Sequence, residues 1–302
     1  MNKQELSAMV ADILKSMGQE PAVKGSEYYP RDPGPQPVDT HYQDGDFVED
    51  VSALDLRKLY LVDAPADADA FRKLKACTPA RLGSGKAGPR YKTLTMLRFR
   101  ADHAAAQDAV FSQVPEDFAK KNDLIPLQTC CHDKDEYLTR PDKGRCFDEE
   151  NQSILRSAFP HPPKVLLVVG DGLSSAAITE NAMPCVAAIR EGLKRRGIST
   201  DKGIFVRYCR VGAGDAIGDV TGCEVVCVLV GERPGLVTDK SMSCYITYQP
   251  RIGALESSRT VVSNIHAQGT PAAQAGEQIA KLVELILQHK VSGVELHQQA
   301  HL

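Results

Sequence analysis

Short apolar runs set the character of the second half of the chain: KVLLVV (164–169), GIFVRY (203–208) and EVVCVLV (224–230). They are rich in β-branched residues and lack strict alternation, which predicts strands covered on both faces. Helical patterns separate them, over Leu173 to Arg196 with Pro184 as a kink point, and more briefly near Asp215 to Thr221. SCYITY (243–248) and RTVVSN (259–264) supply two further strands. Thr270-Pro271 opens a last helix that places Ile279, Leu282, Val283, Ile286 and Leu287 on one face, with proline at its first position. Strands alternating with helices predict an α/β fold with a Rossmann-like, doubly wound, mainly parallel sheet.

The first half reads differently. Leu6, Met9, Val10, Ile13, Leu14 and Met17 fall at helical spacing, giving a short amphipathic helix over Lys3 to Met17. Gly18 to Asp46 is rich in proline and glycine and reads as a flexible linker. A helix on such a tether either docks outside the main core or folds back on its own domain. From Phe47 to about Phe159 the pattern is mostly helical, as in Asp67 to Ala76 and Thr93 to Val114. Pro115-Glu116-Asp117 opens another short helix with acidic residues in its first turn. The segment PHPP (160–163) then breaks the chain. The expected organisation is a helix plus linker (1–46), a mostly helical domain (47–160) and a Rossmann-like domain (161–302).

Composition narrows the class. The chain has 302 residues, 42% hydrophobic and 25% charged, an ordinary soluble balance. A net charge of −3 gives no footing for a nucleic-acid or anionic-membrane partner. No apolar run approaches the ~18 residues of a membrane span, and the first residues carry no signal-peptide core. The nine cysteines include the adjacent pair Cys130-Cys131 but no CxxC and no Cys/His zinc spacing. Cys185, Cys227 and Cys244 sit inside apolar stretches, as small buried hydrophobes do. A reducing compartment, the bacterial cytosol, is the default expectation.

Three segments tempt a chemical reading. LGSGKAG (82–88) contains Gly-Ser-Gly-Lys, but Ala87 stands where a P-loop needs Ser or Thr for Mg²⁺, so a basic surface loop with Arg81, Lys86 and Arg90 is the better reading. VVGDGLSS (168–175) has Ser174 and Ser175 where a dinucleotide fingerprint needs its third glycine. No acidic residue ends the second strand, which runs into Cys209-Arg210. Its place still marks a ligand edge, since open α/β sheets bind at the carboxyl ends of parallel strands; Asp171 is a candidate contact there. NIHAQG (264–269) is one residue from DxHxxG, in which a histidine ligates cobalamin cobalt, but Asn264 stands where the orienting Asp belongs. That makes His266 a satisfied loop histidine. Glu232, in VGERPGL (230–236), follows a buried strand in a Gly/Pro-shaped loop on the ligand edge, and Arg210 and Val211 hold the equivalent place one strand earlier.

GKAGPR (85–90), LRFRADH (97–103), YLTRPDKGR (137–145), VGDGLSSAAI, FVRYCRV (205–211), VGERPGL, SCY and SNIHAQGTP (263–271) together resemble the small subunit of ethanolamine ammonia-lyase, in order and spacing, from roughly Arg81 to Ser292. The resemblance implies an adenosylcobalamin-dependent enzyme that converts ethanolamine to acetaldehyde and ammonia by radical amino migration. It implies a substrate site in the large subunit, with the cofactor held between the two subunits and its own benzimidazole still on cobalt. On this chain it places the cobalamin contacts at Val211, at Glu232 and at Val261, where family members often carry cysteine. No residue of this chain is assigned to catalysis or to metal, and the chain alone is expected to be inactive. The resemblance further implies packaging in a bacterial microcompartment, for which the N-terminal helix on its tether suits a contact with shell or cargo. Two rival readings remain at this stage: a free-standing nucleotide-dependent α/β enzyme, and a structural or packaging partner whose sheet edge is incidental.

Overall fold

The computed structural model describes residues 50–78 and 80–300. The amphipathic helix over Lys3 to Met17 and the linker after it lie outside the described residues. A short helix, Ala68–Ala76 (α1), begins where the Asp67 carboxylate accepts from the Ala70 amide at 2.9 Å, an N-cap that satisfies one of the helix's open donors. A small hairpin, Lys86–Ala87 (β1) with Arg90–Tyr91 (β2), precedes the long helix Thr93–Phe111 (α2). Phe118–Lys121 (α3) follows, and Ile125–Gln128 (β3) then enters the main sheet as an edge strand. Lys134–Thr139 (α4) and Glu149–Ala158 (α5) lead into Val165–Asp171 (β4).

From β4 onward strands and helices alternate: Ser175–Arg195 (α6), Ile204–Arg207 (β5), Ala213–Thr221 (α7) and Val225–Gly231 (β6). Met242–Tyr248 (β7) and Arg259–Ile265 (β8) come next, then Ala272–His289 (α8) and Val294–Ala300 (α9). The six-stranded sheet has the order β3-β5-β4-β6-β7-β8. It is parallel from β3 to β6, whereas β7 and β8 join antiparallel. The α/β class and the mainly parallel sheet match the sequence pattern, with the two antiparallel strands as the difference. Its cause is the connections: the segments after β6 and β7 carry no crossover helix long enough to return the chain to the starting edge.

β4 and β6 are buried at every residue, which is why they read as unbroken apolar runs. Alternate side chains serve opposite faces. Val165, Leu167, Val169, Val225, Cys227 and Leu229 pack with Ile178 and Ile189 of α6 and Ile279 and Val283 of α8. Leu166, Val168, Val226 and Val228 pack with Leu155 of α5 and Ile217 of α7. Each such fully buried aliphatic side chain contributes on the order of 1.5–3 kcal/mol. The α6–α8 contact is unusually close: a Cβ on Gly276 would lie 2.5 Å from the Ala188 Cβ, and one on Gly192 would lie 2.6 Å from the Ala280 Cβ. All nine cysteines are free thiols, with Cys185, Cys227 and Cys244 fully buried in the first of these cores. Among the described residues no helix is long and apolar enough to cross a membrane.

Candidate functional site

At the carboxyl ends of β4, β5 and β6 the chain leaves the sheet in three loops that enclose a cleft of about 210 Å³. Leu173, Val211 and Val230 form apolar wall, Tyr137 and Tyr245 close two sides, and Arg210, Glu232 and Arg233 are its charged members. The position is the one at which parallel α/β sheets take ligands.

Glycines let these loops approach. A Cβ on Gly231 would sit 2.2 Å from the Ser174 carbonyl oxygen, and one on Gly172 would sit 2.6 Å from a Val230 methyl. A Cβ on Gly170 would meet the Cys209 sulfur at 2.6 Å. None of these three needs a left-handed backbone, so the Gly-Asp-Gly turn is glycine-rich for packing against β5 and β6. Ser174 caps α6 by accepting from the Ala177 amide at 3.1 Å.

Asp171 does not contact the cleft, which corrects the sequence expectation. It is 1% exposed; Oδ2 accepts from the Val114 amide at 3.0 Å and Oδ1 accepts from the Ser175 hydroxyl at 2.6 Å. Arg207 lies 3.8 Å away as a cationic partner. The carboxylate is consumed in tying the segment after α2 to the start of α6. Behind the same turn, the buried Lys134 ammonium donates to the Gly172 carbonyl at 2.8 Å, and its desolvation lowers its pKa.

Glu232 is held in place by its own loop and by β7 and β8. Its amide donates to the Ser241 carbonyl at 2.8 Å, while Oε1 accepts from the Ser243 hydroxyl and from the Asn264 amide at 3.1 Å. Burial pushes its pKa up, but hydrogen bonding from the Ser241 and Ser243 side chains and the Asn264 amide, with the nearby His266, outweighs burial and holds it below the ordinary carboxylate value. Glu232 is therefore an anion at neutral pH, with the Ser241 side chain as a further neighbour that favours the charged form.

Arg210 faces the same cleft from the end of β5. Its guanidinium carbon lies 4.4 Å from the Tyr137 ring centre, and one terminal nitrogen donates to the Tyr137 carbonyl at 2.7 Å. The Tyr137 hydroxyl donates to the Cys209 carbonyl at 3.2 Å, and burial raises its pKa well above the usual phenol value. Burial likewise pushes the Cys209 thiol up to about 12, so it stays protonated.

Of the three residues expected to touch a ligand, the fold brings Val211 and Glu232 onto one cleft. Val261 is separate: it lies on β8 directly opposite Tyr245, on the same face of the sheet, and is 42% exposed. Tyr245 thus joins the cleft to Val261. Sequence reasoning missed Tyr137, Leu173 and Tyr245, which converge only through the fold. A signal was available for Tyr245, since it sits at mid-strand with a phenol needing a partly open edge. His266 is closed into its loop, with Nε2 2.8 Å from Asn264 Oδ1 and Nδ1 accepting from the Gln268 amide at 3.3 Å. The left-handed backbone at Asn264 (φ 62°) produces this closure. Among the described residues no cluster of three His, Cys, Asp or Glu could hold a metal ion. The arrangement is suited to binding: an apolar wall, one anionic acceptor and one stacked cation, with no nucleophile paired to a base.

Comparison with known proteins adds a separate line of evidence. Residues 68–297 match the sequence model of the family described as ethanolamine ammonia-lyase light chain. The chain is 49% identical over 296 residues to the ethanolamine ammonia-lyase small subunit of Clostridium perfringens, covering 98% of this chain and 100% of that protein. It is 57% identical over 249 residues to the small subunit of Clostridioides difficile, covering 82% and 85%. With the small subunit of Listeria innocua the identity is 50% over 296 residues, covering 98% and 100%.

Proposed function

Because the chain belongs to the ethanolamine ammonia-lyase light-chain family, and so is part of a lyase that acts as a hetero-oligomer, we propose that its cleft seats one edge of adenosylcobalamin against the large subunit. The observation that carries this reading is the juxtaposition of Val211 and Glu232 on one cleft at the strand ends. The donor set fits a corrinoid edge. The apolar wall of Leu173, Val211 and Val230 suits the ring's methyl-bearing rim, and the ionised Glu232 suits amide or ribose donors. A corrinoid is several times larger than a cleft of about 210 Å³, so this chain can hold only part of it and a second chain must cover the rest. Val261, exposed one strand beyond Tyr245, extends the same face as a further contact.

When bound, adenosylcobalamin supplies the radical chemistry by which ethanolamine loses its amino group. The residues of this chain bind and orient. Glu232 accepts hydrogen bonds, Val211 excludes water from the ring edge, and the Lys134–Asp171 framework fixes the turn that carries Leu173. The test is to assay the chain alone, the large subunit alone and the reconstituted complex with ethanolamine and cofactor. Only the complex turns over under this proposal; activity of this chain alone, or full activity of the large subunit without it, overturns it.

The packaging role rests on the apolar stripe over Lys3 to Met17 alone. Deleting residues 1–18 is expected to leave turnover of the complex intact and to abolish its inclusion in microcompartments; lost turnover contradicts this.

A further inference from the structure

Cys130 and Cys146 lie 16 residues apart in the chain (146 minus 130) and meet in the fold. The Cys130 amide donates to the Cys146 carbonyl at 3.0 Å, and the two thiols face each other within hydrogen-bonding reach. Residues whose backbones are joined in this way hold their Cα atoms about 5–6 Å apart, inside the span that a disulfide bridges. Both are half-buried free thiols, so a small reagent reaches them without unfolding the chain. Among the described residues the Cys146 thiol otherwise makes only weak contacts, with the Lys143 carbonyl at 3.6 Å and the Asp142 carbonyl at 3.7 Å. The adjacent Cys131 differs: it is 0% exposed, and its thiol is hydrogen-bonded to Thr129.

We propose that Cys130 and Cys146 are a modification site, a dithiol that a low-molecular-weight disulfide converts reversibly to an intrachain disulfide. The cofactor reading above is not needed for it. The Cys146 thiol loses its proton and attacks one sulfur of the reagent RSSR, giving the mixed disulfide Cys146–S–S–R and one RSH. Cys130 then loses its proton and attacks the Cys146 sulfur, forming the Cys130–Cys146 bond and releasing the second RSH. Two thiols are oxidised, one disulfide is reduced, and both protons leave on the RSH molecules. Burial, and after it the hydrogen bond to Cys146, push the Cys130 thiol up to about 12, which makes it the second, resolving member. Once Cys146 is held in a mixed disulfide it carries neither proton nor charge against Cys130, and the second attack is eased.

The new bond joins the two segments that flank the end of β5. Thr129, beside Cys130, donates through its amide to the Arg207 carbonyl at 3.2 Å and through its hydroxyl to the Tyr208 carbonyl at 3.0 Å. On the other side the Gly144 carbonyl accepts from the Arg210 amide at 2.9 Å. Oxidation therefore clamps this end of the sheet and reduction by a thiol frees it, the transient use that disulfides find in reducing compartments.

The test incubates the full-length folded chain with oxidised glutathione, alkylates the remaining free thiols and maps the bonds by peptide mass spectrometry. A Cys130–Cys146 bond that dithiothreitol fully reverses is expected. Trypsin leaves Cys130 and Cys131 on one peptide, so Cys131→Ser is measured alongside and should form the same bond. Cys130→Ser should stop at a stable glutathione mixed disulfide on Cys146. Oxidised wild type should melt roughly 5 °C above the reduced protein, as a short covalent loop closure implies, and Cys146→Ser should show no such rise. No Cys130–Cys146 bond in folded wild type, a bond that forms only in urea, or one made through Cys131 each overturns the proposal. A melting temperature that falls on oxidation overturns it as well.

Discussion

The Arg210 guanidinium lies over the Tyr137 ring, 4.4 Å from its centre, and donates back to the carbonyl of the same tyrosine at 2.7 Å. Tyr137 is 1% exposed, so the cation is fixed on a buried platform whose hydroxyl in turn donates to the Cys209 carbonyl. Truncating Tyr137 therefore removes both packing and the seat of a charge. Tyr137→Ala should destabilise the protein by about 3–5 kcal/mol, while Tyr137→Phe, which keeps the ring, should cost about 1 kcal/mol. Urea unfolding of the two variants checks this; equal losses would show that the ring platform contributes nothing beyond its hydroxyl.

Asp171 was the residue of the Gly-Asp-Gly turn most easily taken for a ligand contact, and the fold uses it otherwise. Asp171→Ala leaves the buried Val114 amide without its acceptor and removes the anion facing Arg207, while the Ser175 hydroxyl keeps only the Ser112 carbonyl. A loss of about 3 kcal/mol is expected, as for breaking a buried charged network. Cobalamin affinity per folded complex should not change. A folded Asp171→Ala complex with sharply weaker binding would return Asp171 to the site.

Gly231 and Gly235 sit four residues apart with opposite expectations. At Gly231 an added methyl meets the Ser174 backbone, whose oxygen would be 2.2 Å away and cannot rotate aside; at Gly235 nothing lies within 4 Å. Gly231→Ala should cost at least about 1–3 kcal/mol, whereas Gly235→Ala should be within about 0.5 kcal/mol of wild type. Thermal melts measured side by side decide it, and similar melting points would contradict the close crossing of β6 over the start of α6.

The lowered pKa of Glu232 gives a pH signature with a definite sign. Its hydrogen bonds favour the ionised form in the folded state, so its contribution to stability is present above the ordinary value of 4.5 and is lost as pH falls through the lowered folded value. The melting-temperature advantage of wild type over Glu232→Gln should hold from neutral pH to about that ordinary value and shrink below it. An advantage that grows on acidification would mean that burial, not hydrogen bonding, governs Glu232.

Much of the sheet was legible because β4 and β6 are covered on both faces, and such strands read as continuous apolar runs. β3 was hidden for two reasons. It is only four residues long, and Pro126 within it is tolerated because the strand lies at the sheet edge. The antiparallel direction of β7 and β8 follows from connections that carry no crossover α-helix and not from their own residues, which look the same in either direction. For the cleft, Val211 and Glu232 could be placed because strand ends are readable, and the fold sets both on one wall. Tyr137 and Tyr245 are 108 residues apart, (245 minus 137), and only the folding of α4 beneath the ends of β4 and β5 brings them to the same cleft. Asp171 shows the converse limit: a carboxylate in a ligand-type turn looks identical in sequence whether it faces a ligand or its own backbone.

The most direct test of the whole account is the cobalamin affinity of the reconstituted hetero-oligomer carrying Glu232→Ala. Loss of an ionised acceptor from a desolvated site should weaken binding by roughly tenfold or more, with the complex still folded and assembled at the assay temperature. Affinity equal to wild type in a folded, assembled complex would contradict the assignment of this cleft to the cofactor.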